Sequence, residues 1–248
     1  MILDRIVARK AEEVAALTAP RKSLFEALAV SGTSVIGEIK RGSPSKGAFA
    51  PDADLPAKVE AYERGGVAAL SILTDRDFFL GGEDVLCSLR PGTDLPILRK
   101  DFLIHPVQLE QSRLIGADAV LLIAAILPGD GLKEMISQTA KLGMEPLVEV
   151  HDEKELHRAL EADAKIVGIN NRDLRDFSVD LSVSERLIGE MVRLGARDGR
   201  VVVAESGIGS GEDTKRLKAS GVDAVLVGEA LMRSDDPASI VVELRGAP

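Results

Sequence analysis

The chain has 248 residues, 45% of them apolar and 29% charged, with a net charge of −9 and a pI of about 5.0. That is enough apolar sequence for one large core, while the acidic balance, the lack of a Lys/Arg block and an aromatic share of 3% exclude nucleic acid as a partner. One cysteine, Cys87, and three scattered histidines exclude an internal disulfide and a structural zinc site.

At the N-terminus, Asp4 and Arg5 stand where a secretory apolar region would lie. No later window approaches the ~18 consecutive apolar residues of a membrane span. The sequence therefore predicts a cytoplasmic protein with no membrane partner. Residues 1–33 read as a helical extension, with Ile2, Leu3, Ile6, Val7, Val14 and Leu17 at helical spacing, expected to pack on the main domain at 34–248.

From there β-rich runs recur at 35–40, 69–74, 96–100, 119–124, 146–150, 166–170, 201–206 and 224–228. Helical periodicity appears between them at 53–65, 107–116, 131–143, 152–162, 182–194 and 211–221, and several of these segments stop at glycine. The spacing from Glu38 to Gly228 averages about 27 residues per interval, the length of one βα unit. Eight such units predict an α/β protein, a single (β/α)8 TIM barrel. An open doubly wound sheet is the alternative, but it usually has fewer strands and a G-x-G-x-x-G first turn, which is missing.

The predicted strands end on polar groups: Glu38 and Lys40, Lys100, Glu149, Asn170 and Arg172, Glu205 and Ser206. In a barrel these ends share one mouth, and the period of two puts Glu38 with Lys40, and Asn170 with Arg172, on the same side. A lone charge at a strand end is ordinarily a solvated rim residue or half of an ion pair. Three carboxylates and three cations at the ends of five strands exceed what folding requires. Glycines follow the last two strands in SGIGS, 206–210, and VGEALM, 227–232, where barrels gather backbone N–H groups around phosphate. Taken singly, each could equally be a tight turn.

Eight blocks in order carry a resemblance: EIKRGSPSKG, LSILTDRDFF, PILRKDFLIHPVQ, LLIAAIL, PLVEVHDEKEL, VGINNRDL, VAESGI and VGEALM. They cover nearly the whole chain and resemble the indole-3-glycerol phosphate synthase family of tryptophan biosynthesis. The resemblance implies ring closure, decarboxylation and dehydration of 1-(2-carboxyphenylamino)-1-deoxyribulose 5-phosphate, with no cofactor and no metal. It implies Lys100 as principal general acid, Glu149 as the carboxylate working with it, Glu38 in the dehydration, and Lys40 as an acid or a charge clamp. Asn170, Arg172, Glu205 and Ser206 are implied to position hydroxyls, and Ser43 to meet the anthranilate carboxylate. Phe79, Phe102 and Leu121 are implied around the ring, with Phe78 left to loop packing.

Phosphate is expected on backbone donors at Gly207 and Gly228, helped by Lys40. Glu229 departs from members that carry serine there; an ionised carboxylate cannot donate to phosphate, so its N–H is expected to bind while its side chain turns away. The loop of EIKRGSPSKG is expected to close over the substrate. A monomer or weak homo-oligomer is expected. Three rivals stand beside this reading: a Schiff-base aldolase using Lys100 or Lys40, a phosphate-handling isomerase, and a barrel that binds without turnover.

Overall fold

The computed structural model describes residues 1–173 and 175–246, and the side chains of 16–18, Leu17 among them, lie outside the description. Eight parallel strands close a barrel in chain order: β1 Ser34–Ile39, β2 Ala69–Leu73, β3 Ile97–Lys100, β4 Ala119–Ile123, β5 Glu145–Val150, β6 Ile166–Asn170, β7 Val201–Glu205 and β8 Ala224–Val227. Because β1 pairs with both β2 and β8, the barrel has no free edge. The (β/α)8 architecture read from the sequence is thus present.

Alternation along each strand divides the apolar residues into two cores. Outward residues such as Val35, Ile97, Val148 and Val202 pack against the surrounding helices. Inward residues fill the barrel, and Ile36 of β1, Leu98 of β3, Leu147 of β5 and Val203 of β7 are each fully buried there. Such barrels fill by layers of four side chains drawn from alternate strands. These four come from the odd-numbered strands, and two residues further along the same strands stand Glu38, Lys100, Glu149 and Glu205. The polar cluster at the mouth is therefore the next position up in the same alternation.

The six helices read from periodicity appear within about two residues of their expected limits, for example α3 Leu55–Gly65, α6 Gly131–Lys141 and α8 Ser182–Arg193. Asp54 caps α3 by accepting from the Ala57 N–H, and Gly66 ends it in the left-handed region at φ +86°. Three further helices, α4 Glu83–Leu89, α10 Glu229–Arg233 and α11 Pro237–Leu244, complete the outer ring. They are short, so their periodicity is hard to tell from that of a loop.

The N-terminal extension forms α1 Ile2–Thr18 and α2 Leu24–Leu28. Ile2, Leu3, Ile6 and Val7 on α1 are exposed, so the cover at the barrel floor comes from α2, whose Leu24 and Leu28 join the inner core. Two carboxylates fix this floor. Glu145 accepts from Ser23 Oγ at 2.9 Å and the Phe25 N–H at 2.8 Å, placing negative charge at the start of α2. Buried Asp118 accepts from the Lys22 N–H at 3.0 Å, the Ile97 N–H at 2.9 Å and Arg90 Nη1 at 2.6 Å.

Asp118→Ala is expected to lower stability by about 3–5 kcal/mol, because it removes the carboxylate paired with the Arg90 guanidinium and strands two backbone donors. Chemical denaturation measures the loss. Turnover per folded molecule should be unchanged, since the floor lies at the opposite end of the barrel from the mouth.

Candidate active site

A cavity of about 600 Å³ opens at the C-terminal end of the barrel, lined by Glu38, Lys100, Glu149 and Glu205 with residues from the loops above. Lys100 Nζ lies 3.2 Å from Glu149 Oε2 and 3.3 Å from Glu205 Oε2. Lys40 Nζ pairs with Glu38 Oε1 at 2.5 Å. Asn170 Nδ2 donates to Glu149 Oε1 at 3.3 Å, and the Asn170 Oδ1 accepts the Arg172 N–H at 3.0 Å.

Glycine makes room for two of these carboxylates. A Cβ on Gly228 would collide with Glu38 Oε1, and one on Gly168 would collide with Glu205 Oε1. Both glycines sit on even-numbered strands or their ends, beside the odd strands that carry the acids. Layering by alternate strands thus sets where side-chain bulk is left out.

The charges of this cluster are set by one another. Burial alone would lower the Lys100 ammonium, but the carboxylates of Glu205, Glu149 and Glu38 outweigh it and hold its pKa above the usual lysine value. Burial would raise Glu149, yet Lys100, the neighbouring His151 ring and a hydrogen bond from Asn170 keep it well below the usual carboxylate range. Glu205 goes the other way: burial, reinforced by the charge on Glu149, exceeds the pull of Lys100 and pushes it up to about 7. Two carboxyls touching one ammonium therefore differ in proton affinity, as paired acid and base groups require. A Schiff-base lysine needs the opposite shift, toward a free amine, so the aldolase rival is disfavoured.

Around the mouth, Ser43 leads a small hairpin in which 42–43 pair with 47–48, and its Oγ lies 3.5 Å from Ser45 Oγ. Phe79 and Phe102 face each other with centroids 6.1 Å apart and, with Leu121, line the cavity; Phe78 is exposed outside it. Arg172 also lines it, with Nη1 donating to the Phe177 carbonyl at 2.9 Å. Ser206 and Gly207 both take left-handed backbone, at φ +65° and +79°, which turns the chain sharply at the end of β7. Glu229 begins α10 beside Gly228, and its Oε1 is 3.0 Å from both Lys46 Nζ and Arg233 Nε.

The family profile described as "Indole-3-glycerol phosphate synthase" matches residues 3–244. The chain belongs to the indole-3-glycerol phosphate synthase family. Proteins of that name from Petrotoga mobilis and Streptomyces coelicolor are 44% and 46% identical, the first over 98% of this chain and 96% of its own length, the second over 96% and 90%. A third, from Acetivibrio thermocellus, reaches 52% over 81% of this chain and 75% of its own. Among solved structures, a thiamine phosphate pyrophosphorylase from Pyrococcus furiosus aligns with a TM-score of 0.63 over 90% of this chain and 96% of that one, at 18% identity. That likeness speaks to the barrel alone.

In this member of the indole-3-glycerol phosphate synthase family, the residues singled out in the sequence make up about half of the cavity lining. Glu38, Lys40, Ser43, Phe79, Lys100, Phe102, Leu121, Glu149, Asn170, Arg172, Glu205, Ser206, Gly207, Gly228 and Glu229 all line it. Lys46, Arg233 and His151 were not singled out. Lys46 and Arg233 read as ordinary surface cations until the fold brings them to Glu229. His151 stood two residues past Glu149, at the spacing that puts both side chains on one side of the strand, which was the available signal.

Proposed function

We propose that this chain is an indole-3-glycerol phosphate synthase of tryptophan biosynthesis, converting 1-(2-carboxyphenylamino)-1-deoxyribulose 5-phosphate to indole-3-glycerol phosphate, CO2 and water. The single observation that carries the reading is the Lys100 ammonium held between Glu149 and Glu205 in the barrel mouth. The carboxylated ring carbon attacks the ribulose C2 carbonyl, and Lys100 delivers a proton to the alkoxide as it forms. A fixed cation there also stabilises the growing negative charge.

Carbon dioxide then leaves and its electron pair restores the aromatic ring, drawn by the iminium of the substrate's own nitrogen. No external electron sink is required. Loss of the C2 hydroxyl as water asks for an acid at oxygen and a base at the neighbouring C–H. Glu149, held ionised, is suited to the base. Lys40 with Glu38, or Lys100 once reprotonated, is suited to the acid.

The substrate brings two anionic ends, a carboxylate and a phosphate. Phe79, Phe102 and Leu121 supply the apolar wall for the ring, with Ser43 toward its carboxylate and Arg172 and Ser206 toward the hydroxyls. Phosphate is assigned to the backbone at Gly207, Gly228 and Glu229 with help from Lys40. The carboxylate of Glu229 is turned to Lys46 and Arg233, which leaves its N–H as the available donor. The working form in this reading is a cytoplasmic monomer or weak homo-oligomer with a small phosphorylated substrate and no nucleic-acid or membrane partner.

Mixing the protein with the carboxyphenylamino-deoxyribulose phosphate should produce indole fluorescence and one CO2 per turnover. The chain has no Trp, so the background is low. Folded protein that yields neither signal would overturn the assignment.

A further inference from the structure

We propose that His151 is a positioning residue for Glu149, an imidazolium clamped between Glu149 and Glu155 that fixes which way the catalytic carboxylate points. The inference rests on the reading above that Glu149 takes part in the proton transfers. His151 is the first residue beyond β5, and it does not line the cavity. It can therefore reach the reaction only through Glu149.

The clamp is anchored on one side and applied on the other. Glu155 Oε2 accepts both the His151 backbone N–H, at 2.8 Å, and Nδ1 of its ring, at 3.0 Å. Glu155 is itself placed by the start of α7 Glu153–Glu161, where its N–H is capped by Asp152 Oδ1 at 2.8 Å. With Nδ1 so engaged, the ring plane is fixed, and Nε2 comes within 3.3 Å of Glu149 Oε1. Among the described residues Nε2 is buried and meets no acceptor at hydrogen-bond geometry, so its contact with Glu149 is that of an ion pair.

The two oxygens of Glu149 are thereby divided between two tasks. Oε2 faces the Lys100 ammonium inside the cavity, and Oε1 faces Asn170 in the cavity wall and His151 behind it. Burial would push the imidazole toward neutrality, but its bonds to Glu149 and Glu155 hold it charged, with a pKa raised to about 10. The charged groups around it are Glu149 on β5, Glu155 on α7, Lys100 on β3 beyond Glu149, and Asp173 after β6, whose carboxyl also feels the imidazolium. An imidazolium at this place favours the ionised form of Glu149 and costs no cavity volume.

A double-mutant cycle with an NMR readout tests the proposal. His151→Gln should lower kcat by about 10–10²-fold, the order expected when a catalytic group is displaced by ~1 Å. KM should move little, because His151 does not touch substrate. In a Glu149→Gln background the same change should cost less than about twofold, since a residue acting through Glu149 has nothing left to position. Glu155→Gln, which keeps an acceptor for the His151 backbone, should reproduce part of the kcat loss and lower the His151 titration midpoint seen by nitrogen-15 NMR.

Equal losses in both backgrounds, or an imidazole that titrates near its ordinary value in the unaltered protein, would sink the clamp. A Glu149→Gln variant with undiminished turnover has a different signature, and would sink the assignment of Glu149 and the clamp with it. Denaturation of each variant separates lost folding from lost chemistry.

Discussion

Lys100→Met lowers kcat by about 10²–10⁴-fold, the contribution expected of a positioned general acid. Methionine nearly preserves the length of the side chain and removes only the charge and the proton. Without the ammonium, burial dominates both neighbours, so Glu149 loses the attraction that keeps it ionised and Glu205 the one that partly offsets its burial. Both carboxyls then bind protons more readily at neutral pH, and the acid and the base proposed above are lost together. Product fluorescence in single-turnover mixing gives the rate, and denaturation confirms a folded sample. A near-normal rate would remove Lys100 from the chemistry. A borohydride-stable adduct between substrate and the unaltered protein would restore the aldolase.

Gly228→Ala should cost about 10²-fold in kcat while leaving most of the stability intact. The φ of −122° at Gly228 is not left-handed, and the expected effect rests on the bulk of the added methyl. The added methyl would overlap Glu38 Oε1 and lie 3.0 Å from Glu38 Cβ, forcing that side chain to swing and breaking its 2.5 Å pair with Lys40. A displacement of ~1 Å in a reacting group is enough for a loss of this order. Pairing the variant with Glu38→Ala checks the cause. If shifting Glu38 is the injury, Gly228→Ala adds little once Glu38 has been shortened. A full second loss would place the damage elsewhere at the mouth.

The barrel was legible because its strands are buried, making short apolar runs at a regular interval, and because several of its helices run out at or next to glycine. The charged cluster was legible for a related reason: a Glu or Lys closing an apolar run is conspicuous in one dimension. Other features depend on neighbours far apart in the chain. Gly228 was read as a phosphate-binding turn, and only the pairing of β8 with β1 brings it against Glu38 and adds a steric role. Lys46 meets Glu229 across 183 residues of sequence. The period of two singles out Lys40 beside Glu38, but nothing in EIKRGSPSKG tells what Lys46 in the loop will meet. In α1 the apolar spacing was visible, but periodicity names an apolar face without naming what covers it, and Ile2, Leu3, Ile6 and Val7 remain exposed.

The layer of Ile36, Leu98, Leu147 and Val203 that fills the barrel beneath the site also governs traffic. With the interior packed, the mouth is the one door. Substrate must arrive through the same opening by which carbon dioxide, water and the indole product depart. Whatever occupies the doorway, above all the hairpin carrying Ser43 and its Lys46 contact to Glu229, stands in the path of every species. The order of departure then depends on size and anchoring: the two small neutral molecules can slip past a bound phosphate ester, whereas the phosphate ester cannot leave until the doorway clears. A chain whose chemistry is fast would on these grounds be paced by its exit.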